Sequence, residues 1–307
     1  MNVDEVLITA IADALGGGPL HSPIMVVALR GWFDVAEVAT GALDELVSER
    51  VAPVIASIDP DPFFDFTQER PEVYIDDDDE RRVRWPENEF RLMRNPGRAH
   101  DLVVLAGVEP HMRYATFADA IIAVAQRLGC SVVVTVGAAA EAMPHTRPPL
   151  VVGSSTNDGL VRALGLSRPT YQGITGLVGV LQERLDRAGL PAVSLRVGVP
   201  HYLGSARHPK SSMALLQHLE HVLDVPTGHA RLTDDITRWG TLHDEAVADD
   251  RQATLYLTML EAEYDRRAEA LFPSGDDLAA DFERFLRDQD DGRGDQGESG
   301  DGGRTDN

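Results

Sequence analysis

The sequence reads IMVVALRGWFD at residues 24–34, an apolar run followed by an arginine, a glycine, two aromatic residues and an aspartate. A valine-rich run with little polar alternation is typical of a strand that is covered on both faces of a sheet. Asp34 then offers a helix cap, and the apolar residues Val35, Val38, Ala42 and Leu46 follow at helical spacing. The stretch therefore predicts a buried strand, a tight turn and a helix that begins after Asp34.

The same order of strand and helix continues to about residue 225. Further apolar runs predict buried strands at residues 54–58, 102–106, 132–136 and 193–199. Helical patterns lie between or after these runs, at residues 117–128, 177–188 and 209–223. Alternating strands and helices predict an α/β fold in layers.

Beyond Pro226 the strand signals end and only helical patterns follow. Helices are predicted from Thr233, over residues 253–270, and around Phe282, Phe285 and Leu286. Residues 288–307 contain no aliphatic or aromatic side chain, which predicts disorder. We therefore expect an N-terminal segment at 1–20, an α/β domain at 21–226, a helical extension at 227–287 and a disordered acidic, glycine-rich tail at 288–307.

Charge and cysteine content restrict the class of partner. The 307 residues include 50 acidic and 28 basic side chains, for a net charge of −22. Such a chain repels nucleic acid and anionic membrane surfaces. A single cysteine, Cys130, excludes an internal disulfide. Charged residues interrupt every apolar stretch before it reaches the length of a membrane-spanning helix. The N-terminus has no basic region of the kind that opens a secretory signal, so we expect a cytoplasmic protein.

Strong catalytic signatures are absent from the sequence. It has no Walker A loop, no GxGxxG after the first strand, no GxSxG elbow and no HExxH. We therefore predict no cofactor and no metal site. Three loops that follow predicted strands still carry polar side chains, and each has both a structural and a ligand-binding interpretation.

The first loop contains Gly31, Trp32 and Asp34, which form either a packed turn or a backbone approach to a ligand. The second places Glu109 and Arg113 after a strand, where they either bind a ligand or pair with each other or with a neighbouring subunit. The third runs from Pro144 to Pro149, and its prolines restrict the directions of His145 and Arg147. His145 could exchange a proton near neutral pH, but a rigid interface loop needs the same stiffness.

Several short segments, in this order, resemble the PAC2 family, the proteasome assembly chaperone 2 type, in its prokaryotic form. They are GWFD at 31–34 with ATGA at 39–42, DF at 65–66 with RP at 70–71, RWP at 84–86, GVEP at 107–110 with Arg113, GA at 137–138, and PHTRP at 144–148. The resemblance extends over roughly residues 24–225, and the helical region that follows is similar to the family's C-terminal extension.

The resemblance implies a three-layer αβα sandwich of the phosphorylase/hydrolase-like class with a C-terminal helical subdomain. It also implies a homo-oligomer, such as a trimer, and relatives that act as chaperones for proteasome α-type subunits. The binding or interface residues that these segments predict are Gly31, Trp32, Asp34, Asp65, Arg70, Pro71, Trp85, Glu109, Pro110, Arg113, His145, Thr146 and Arg147.

Two functions of different class follow. The first is a non-enzymatic, oligomeric interaction protein, with proteasome subunits as the partner. The alternative is a protein or enzyme that binds a nucleoside- or anion-type small molecule in the sheet-end loops. In that alternative Glu109 orients a hydroxyl, Arg113 or Arg147 binds an anion, and His145 exchanges a proton.

Overall fold

The computed structural model describes residues 2–48, 50–95, 97–203 and 207–271. Its strands are β1 (Leu7–Thr9), β2 (Ile24–Arg30), β3 (Val54–Ile58), β4 (Glu72–Ile75), β5 (Arg81–Arg84), β6 (Glu89–Met93), β7 (Leu102–Val108), β8 (Val132–Glu141), β9 (Val151–Ser154) and β10 (Ala192–Pro200). Its α-helices are α1 (Ile11–Ala14), α2 (Val38–Val47), α3 (Tyr114–Arg127), α4 (Asp158–Leu164), α5 (Leu177–Arg187), α6 (Pro209–Leu223), α7 (Thr233–Ala248) and α8 (Arg251–Leu271).

Eight strands form one mixed sheet in the order β1-β3-β6-β7-β2-β8-β10-β9. The central strands β7, β2, β8 and β10 run parallel, whereas β6 and β9 pair antiparallel with β7 and β10. Parallel pairing brings the carboxyl ends of the four central strands to one edge of the sheet. The loops that the sequence singled out after these strands therefore start from that edge.

Helices cover both faces of the sheet, and each face has its own hydrophobic core. On one face α3 and α5 pack against the sheet through side chains that include Phe117, Ile121 and Leu181. On the other, α2 and α6 pack against the sheet through side chains that include Leu43 and Leu215. The α/β class and the three-layer αβα arrangement are thus confirmed, and the central strands are rich in apolar residues because both their faces are covered.

The helix after Asp34 begins later than its sequence pattern predicts. Residues Val35–Glu37 form a 3-10 turn, and α2 begins only at Val38. The cause is the backbone of Ala36 and Glu37, which both adopt left-handed φ angles, of 59° and 53°. Asp34 nevertheless acts on the helix, because its carboxylate accepts hydrogen bonds from the backbone N–H groups of Ala39 and Thr40.

A separate hairpin, formed by β4 and β5, has no counterpart in the sequence-based expectations. All eight residues of its two strands are exposed, so it lacks the apolar run that marks a buried strand. The Asp76 side chain accepts hydrogen bonds from the N–H groups of Asp78 and Glu80, which closes the turn.

The chain divides into two compact units, residues 1–255 and 256–307. Helix α7 belongs to the first unit, and the described part of the second is the end of α8. The boundary expected at residue 226 stays a prediction. The helix predicted around Phe282 and the tail at 288–307 lie outside the described residues. None of the described helices combines the length and the apolar character that crossing a membrane requires.

Candidate functional site

The turn after β2 is fastened by the carboxylate of Glu109, which follows β7. Glu109 Oε2 accepts the backbone N–H of Trp32 at 2.7 Å, and its Oε1 accepts the N–H of Leu177, the first residue of α5, at 2.6 Å. One carboxylate thus joins the turn after β2 to the loop that precedes α5. This arrangement fixes two loops that are far apart in sequence.

Two glycines make this close approach possible. A Cβ on Gly31 would lie 2.6 Å from Glu109 Oε2, and one on Gly176 would lie 2.5 Å from Glu109 Oε1. The fastened loops present apolar side chains to solvent, because Trp32 is 73% exposed and Tyr171 and Ile174 are 74% and 84% exposed. The sequence grouped Gly31, Trp32 and Glu109 as site residues, and the structure brings these three together.

Asp34 is a buried carboxylate at the base of the same turn. It accepts hydrogen bonds from the N–H of Ala39 at 2.6 Å and from the N–H and hydroxyl of Thr40 at 3.1 and 2.6 Å. Burial raises the pKa of its carboxyl group, while these hydrogen bonds act in the opposite direction. Asp34 also forms a bridge with Ala138 of β8, so it anchors the turn to the sheet.

The segment that contains Asp65, Arg70 and Pro71 lies beside the loop after β7. The N–H of Asp65 donates to His111 Nδ1 at 3.0 Å. Hydrogen bonds from the hydroxyl and N–H of Thr67 and from Gln68 lower the pKa of the Asp65 carboxyl group to about 2. Asp65 is therefore a turn-forming carboxylate that stays charged.

A polar cavity of about 460 Å³ opens between this segment, the ends of β2 and β7, and the base of the hairpin. Arg70 and Trp85, both predicted site residues, line it together with Arg30. Arg30 forms an ion pair with Glu69.

His145 lies in a second polar cluster, formed by the segments after β8 and β10 and by α7. Its Nδ1 lies 2.8 Å from the hydroxyl of Tyr202, and its Nε2 lies 3.1 Å from Asp244 Oδ1. Lys210 Nζ donates to the carbonyl of His145 at 3.0 Å. His145 is only 2% exposed, and burial lowers its pKa although its hydrogen bond to the Asp244 carboxylate raises it. The imidazole is therefore a buried link between elements.

The rings of His208 and Trp239 lie next to this cluster, and each has a buried nitrogen atom. His208 caps α6, where its Nδ1 accepts the N–H of Ser211 at 3.1 Å. Trp239 stacks on His243, with centroids 4.1 Å apart, and meets His208 edge to face at 4.4 Å. His208 Nε2 and Trp239 Nε1 are buried without a hydrogen-bond partner among the described residues.

The predicted site residues thus fall into separate groups. Glu109 contacts Trp32 and Leu177, whereas His145 contacts Tyr202 and Asp244. Pro110 is buried beside Glu109, and Arg113 has a left-handed φ of 58° as it caps α3. Thr146 and Arg147 are half-buried neighbours of His145, and Arg147 Nη1 donates to Thr146 Oγ1 at 3.4 Å.

Sequence reasoning missed Tyr202, Asp244 and Trp239 of the His145 cluster. Tyr202 and Asp244 lie 57 and 99 residues from His145 along the chain, so no local pattern links them. Within the described part of the chain, no group of three or more His, Cys, Asp or Glu side chains is arranged to hold a metal ion.

Comparisons with known proteins agree with this architecture. The PAC2 family model matches residues 28–247. A PAC2 family protein from Streptomyces avermitilis is 37% identical, with a TM-score of 0.72 over 76% of this chain and 99% of that chain. A proteasome-assembly chaperone homologue from Mycobacterium tuberculosis is 35% identical, with a TM-score of 0.69 over 76% of this chain and 99% of that chain.

A more distant structure shares the fold alone. The archaeal proteasome activator PbaB from Pyrococcus furiosus is 18% identical, with a TM-score of 0.62 over 78% of this chain and 97% of that chain. No curated protein matches this chain.

Proposed function

Because the chain belongs to the PAC2 family, we propose that it is a non-enzymatic, homo-oligomeric protein of the cytoplasm that binds proteasome subunits as an assembly chaperone. The similarity to a mycobacterial proteasome-assembly chaperone homologue supports the class of partner. The structural observation that carries the proposal is the surface of Trp32, Tyr171 and Ile174, which we call the edge patch.

The edge patch has the properties of a recognition surface. Its residues are more than 70% exposed, whereas large apolar and aromatic side chains are more often largely buried. Glu109 fastens the loops that carry them, and the Tyr171 hydroxyl donates to the carbonyl of Ile174 at 2.8 Å. Tryptophan and tyrosine are enriched among the residues that dominate binding energy, and rigid loops lose little entropy on binding.

The contacts of Glu109 and His145 favour this proposal over the small-molecule alternative. Both carboxylate oxygens of Glu109 already accept backbone N–H groups. The His145 ring is buried between Tyr202 and Asp244. Neither group has the open approach that a general base or a substrate-orienting carboxylate requires.

We expect Trp32→Ala to weaken capture of the proteasome α subunit by roughly tenfold or more, because it removes an exposed aromatic anchor. The measurement is capture of the purified α subunit encoded in the same genome by the immobilised full chain. Leu242→Ala is the matched control, since Leu242 is 64% exposed on α7, outside the edge patch. The proposal fails if the wild-type chain captures no α subunit, or if both variants bind as the wild type does.

The β4–β5 hairpin supports the homo-oligomeric part of the proposal. Val73 pairs with Val83, and Ile75 lies two residues further along the same face. These side chains are 53%, 48% and 61% exposed, respectively. An isolated two-stranded hairpin is at best marginally stable in water, and a second copy of the chain packed on this face would stabilise it.

Ile75→Asp is expected to convert the oligomer to monomers of 33.4 kDa, because it places a charge in the apolar face that a second copy covers. Light scattering after size-exclusion chromatography gives the mass. Tyr74→Asp is the matched control, since Tyr74 lies between Val73 and Ile75 on the opposite face of the hairpin. A monomeric wild type, or equal masses for all three proteins, contradicts self-association through this face.

A further inference from the structure

The cavity of about 460 Å³ lies where an α/β sheet is best suited to bind a ligand. Arg30 ends β2 and Val108 ends β7, and both residues line the cavity. These neighbouring parallel strands are followed by α2 and α3, which pack on opposite faces of the sheet. Between such strands the loops diverge and leave a crevice beyond the carboxyl ends. The volume is that of a small-molecule site.

The charges of the lining favour a cation. Five carboxylates and three arginines line the cavity. Arg30 pairs with Glu69, and Arg84 lies 3.8 Å from Glu72. Among the lining residues, the remaining carboxylates are those of Glu37, Asp44 and Glu87, and the remaining arginine is Arg70. Arg207 and Arg91, which do not line the cavity, also act on the charge of Asp44. An anionic ligand would face an excess of like charge, whereas an organic cation would neutralise it.

Trp85 supplies an aromatic surface beside these carboxylates. It is 46% exposed, and Phe66 meets it edge to face with centroids 4.9 Å apart, which fixes the ring. A partly exposed tryptophan flanked by carboxylates is a combination that recognises guanidinium and ammonium groups through cation–π attraction and charge-assisted hydrogen bonds.

Two further features lie at the cavity or beside one of its lining residues. Glu37 and the preceding Ala36 both have left-handed φ angles, a rare conformation for two adjacent non-glycine residues and one that occurs at functional sites. Asn88, which is 1% exposed, accepts the N–H of Val108 through Oδ1 at 3.0 Å. Its Nδ2 is buried without an acceptor among the described residues.

We propose that this cavity binds an alkyl guanidinium or alkyl ammonium group, held by Glu37, Asp44 and Glu87 against the ring of Trp85. The group comes either from a free amine or from an arginine or lysine side chain of a polypeptide. This proposal is independent of the binding of a proteasome subunit at the edge patch. It also differs from the small-molecule alternative that the sequence suggested, because the ligand is a cation and not an anion.

Titration calorimetry on the full chain with Nα-acetyl-arginine amide tests the proposal. The matched neutral probe is Nα-acetyl-citrulline amide, in which a urea replaces the guanidinium at nearly the same shape. We expect the arginine probe to bind at least roughly tenfold more tightly. Agmatine serves as the free amine: binding of agmatine alone identifies a metabolite site, and binding of both identifies a site that also accepts side chains.

Variants of single carboxylates separate the cavity from general attraction to an acidic protein. Asp44→Asn and Glu87→Gln are each expected to weaken the binding of the cationic probes roughly fivefold to tenfold. Glu45→Gln is the control, because Glu45 is the next residue of α2 and lines a different cavity. Binding of the arginine and citrulline probes with equal measurable affinity, no binding of any cation, an equal loss in all three variants, or preferential binding of inorganic phosphate would each overturn the proposal.

Discussion

Gly137→Ala is expected to lower the free energy of unfolding by about 3 kcal/mol or more, because the added methyl group has no room. A Cβ at this position of β8 would lie 2.0 Å from Phe33 Cδ1 and 2.6 Å from the Phe33 carbonyl oxygen. That carbonyl accepts the N–H of Ala138 at 2.8 Å, so the clash falls on the bond that docks the turn after β2 onto the sheet.

Urea or thermal unfolding of the full chain measures this effect. A loss of about 3 kcal/mol corresponds to roughly 6–12 °C in melting temperature for a domain of this size. Gly240→Ala is the control, since a Cβ there meets no described atom within 4 Å. Because Gly240 lies inside α7, the control is expected to gain about 1 kcal/mol. Equal stabilities for the two variants would contradict the packing of Phe33 on Gly137.

A double-mutant cycle locates the clash. Phe33→Ala removes the ring that the new methyl group meets but leaves the carbonyl contact in place. The double variant is therefore expected to be more stable than the sum of the two single effects predicts, with only part of the loss recovered. Strict additivity would show that Gly137→Ala acts elsewhere.

The central strands could be predicted from the sequence because a strand that is buried on both faces carries apolar residues at successive positions. Strands β2, β7, β8 and β10 are dominated by apolar residues, and parallel strands between helices have this composition. The short strands β1, β6 and β9 lie toward the sheet's outer parts and were missed, since three to five residues with mixed exposure do not give a period.

The candidate site was predictable only in part. The turn at Gly31 and Glu109 both follow buried strands, and parallel pairing of those strands brings them together. Glu109 reaches Leu177 across 68 residues, and His145 reaches Asp244 across 99. Such side-chain contacts depend on packing of whole helices on the sheet. Local spacing therefore identified several of the residues but not their partners.

Acidification from pH 6.5 to pH 4 is expected to destabilise the folded chain through His208, by about 3 kcal/mol. Burial lowers the pKa of this histidine from 6.5 to about 4, and the nearby Lys210 acts in the same direction. Between these two values the unfolded chain binds a proton that the folded chain excludes. The contribution of His208 to stability is therefore fully present above pH 6.5 and is lost as the pH falls toward 4.

His208→Asn isolates this contribution, because asparagine does not titrate and can still accept the N–H of Ser211 at the start of α6. The variant is expected to be less stable at pH 7.5, since it leaves space beside Trp239.

The decisive quantity is the slope of stability against pH between 6.5 and 4, which the variant should reduce. His145 and His218 also have lowered pKa values and are present in both proteins, so the difference between the slopes reports His208 together with its coupling to His145. His221→Asn, the same substitution at an exposed position of the same helix, is the matched control. If His208→Asn and the wild type lose stability in parallel on acidification, His208 is not the buried group that resists protonation.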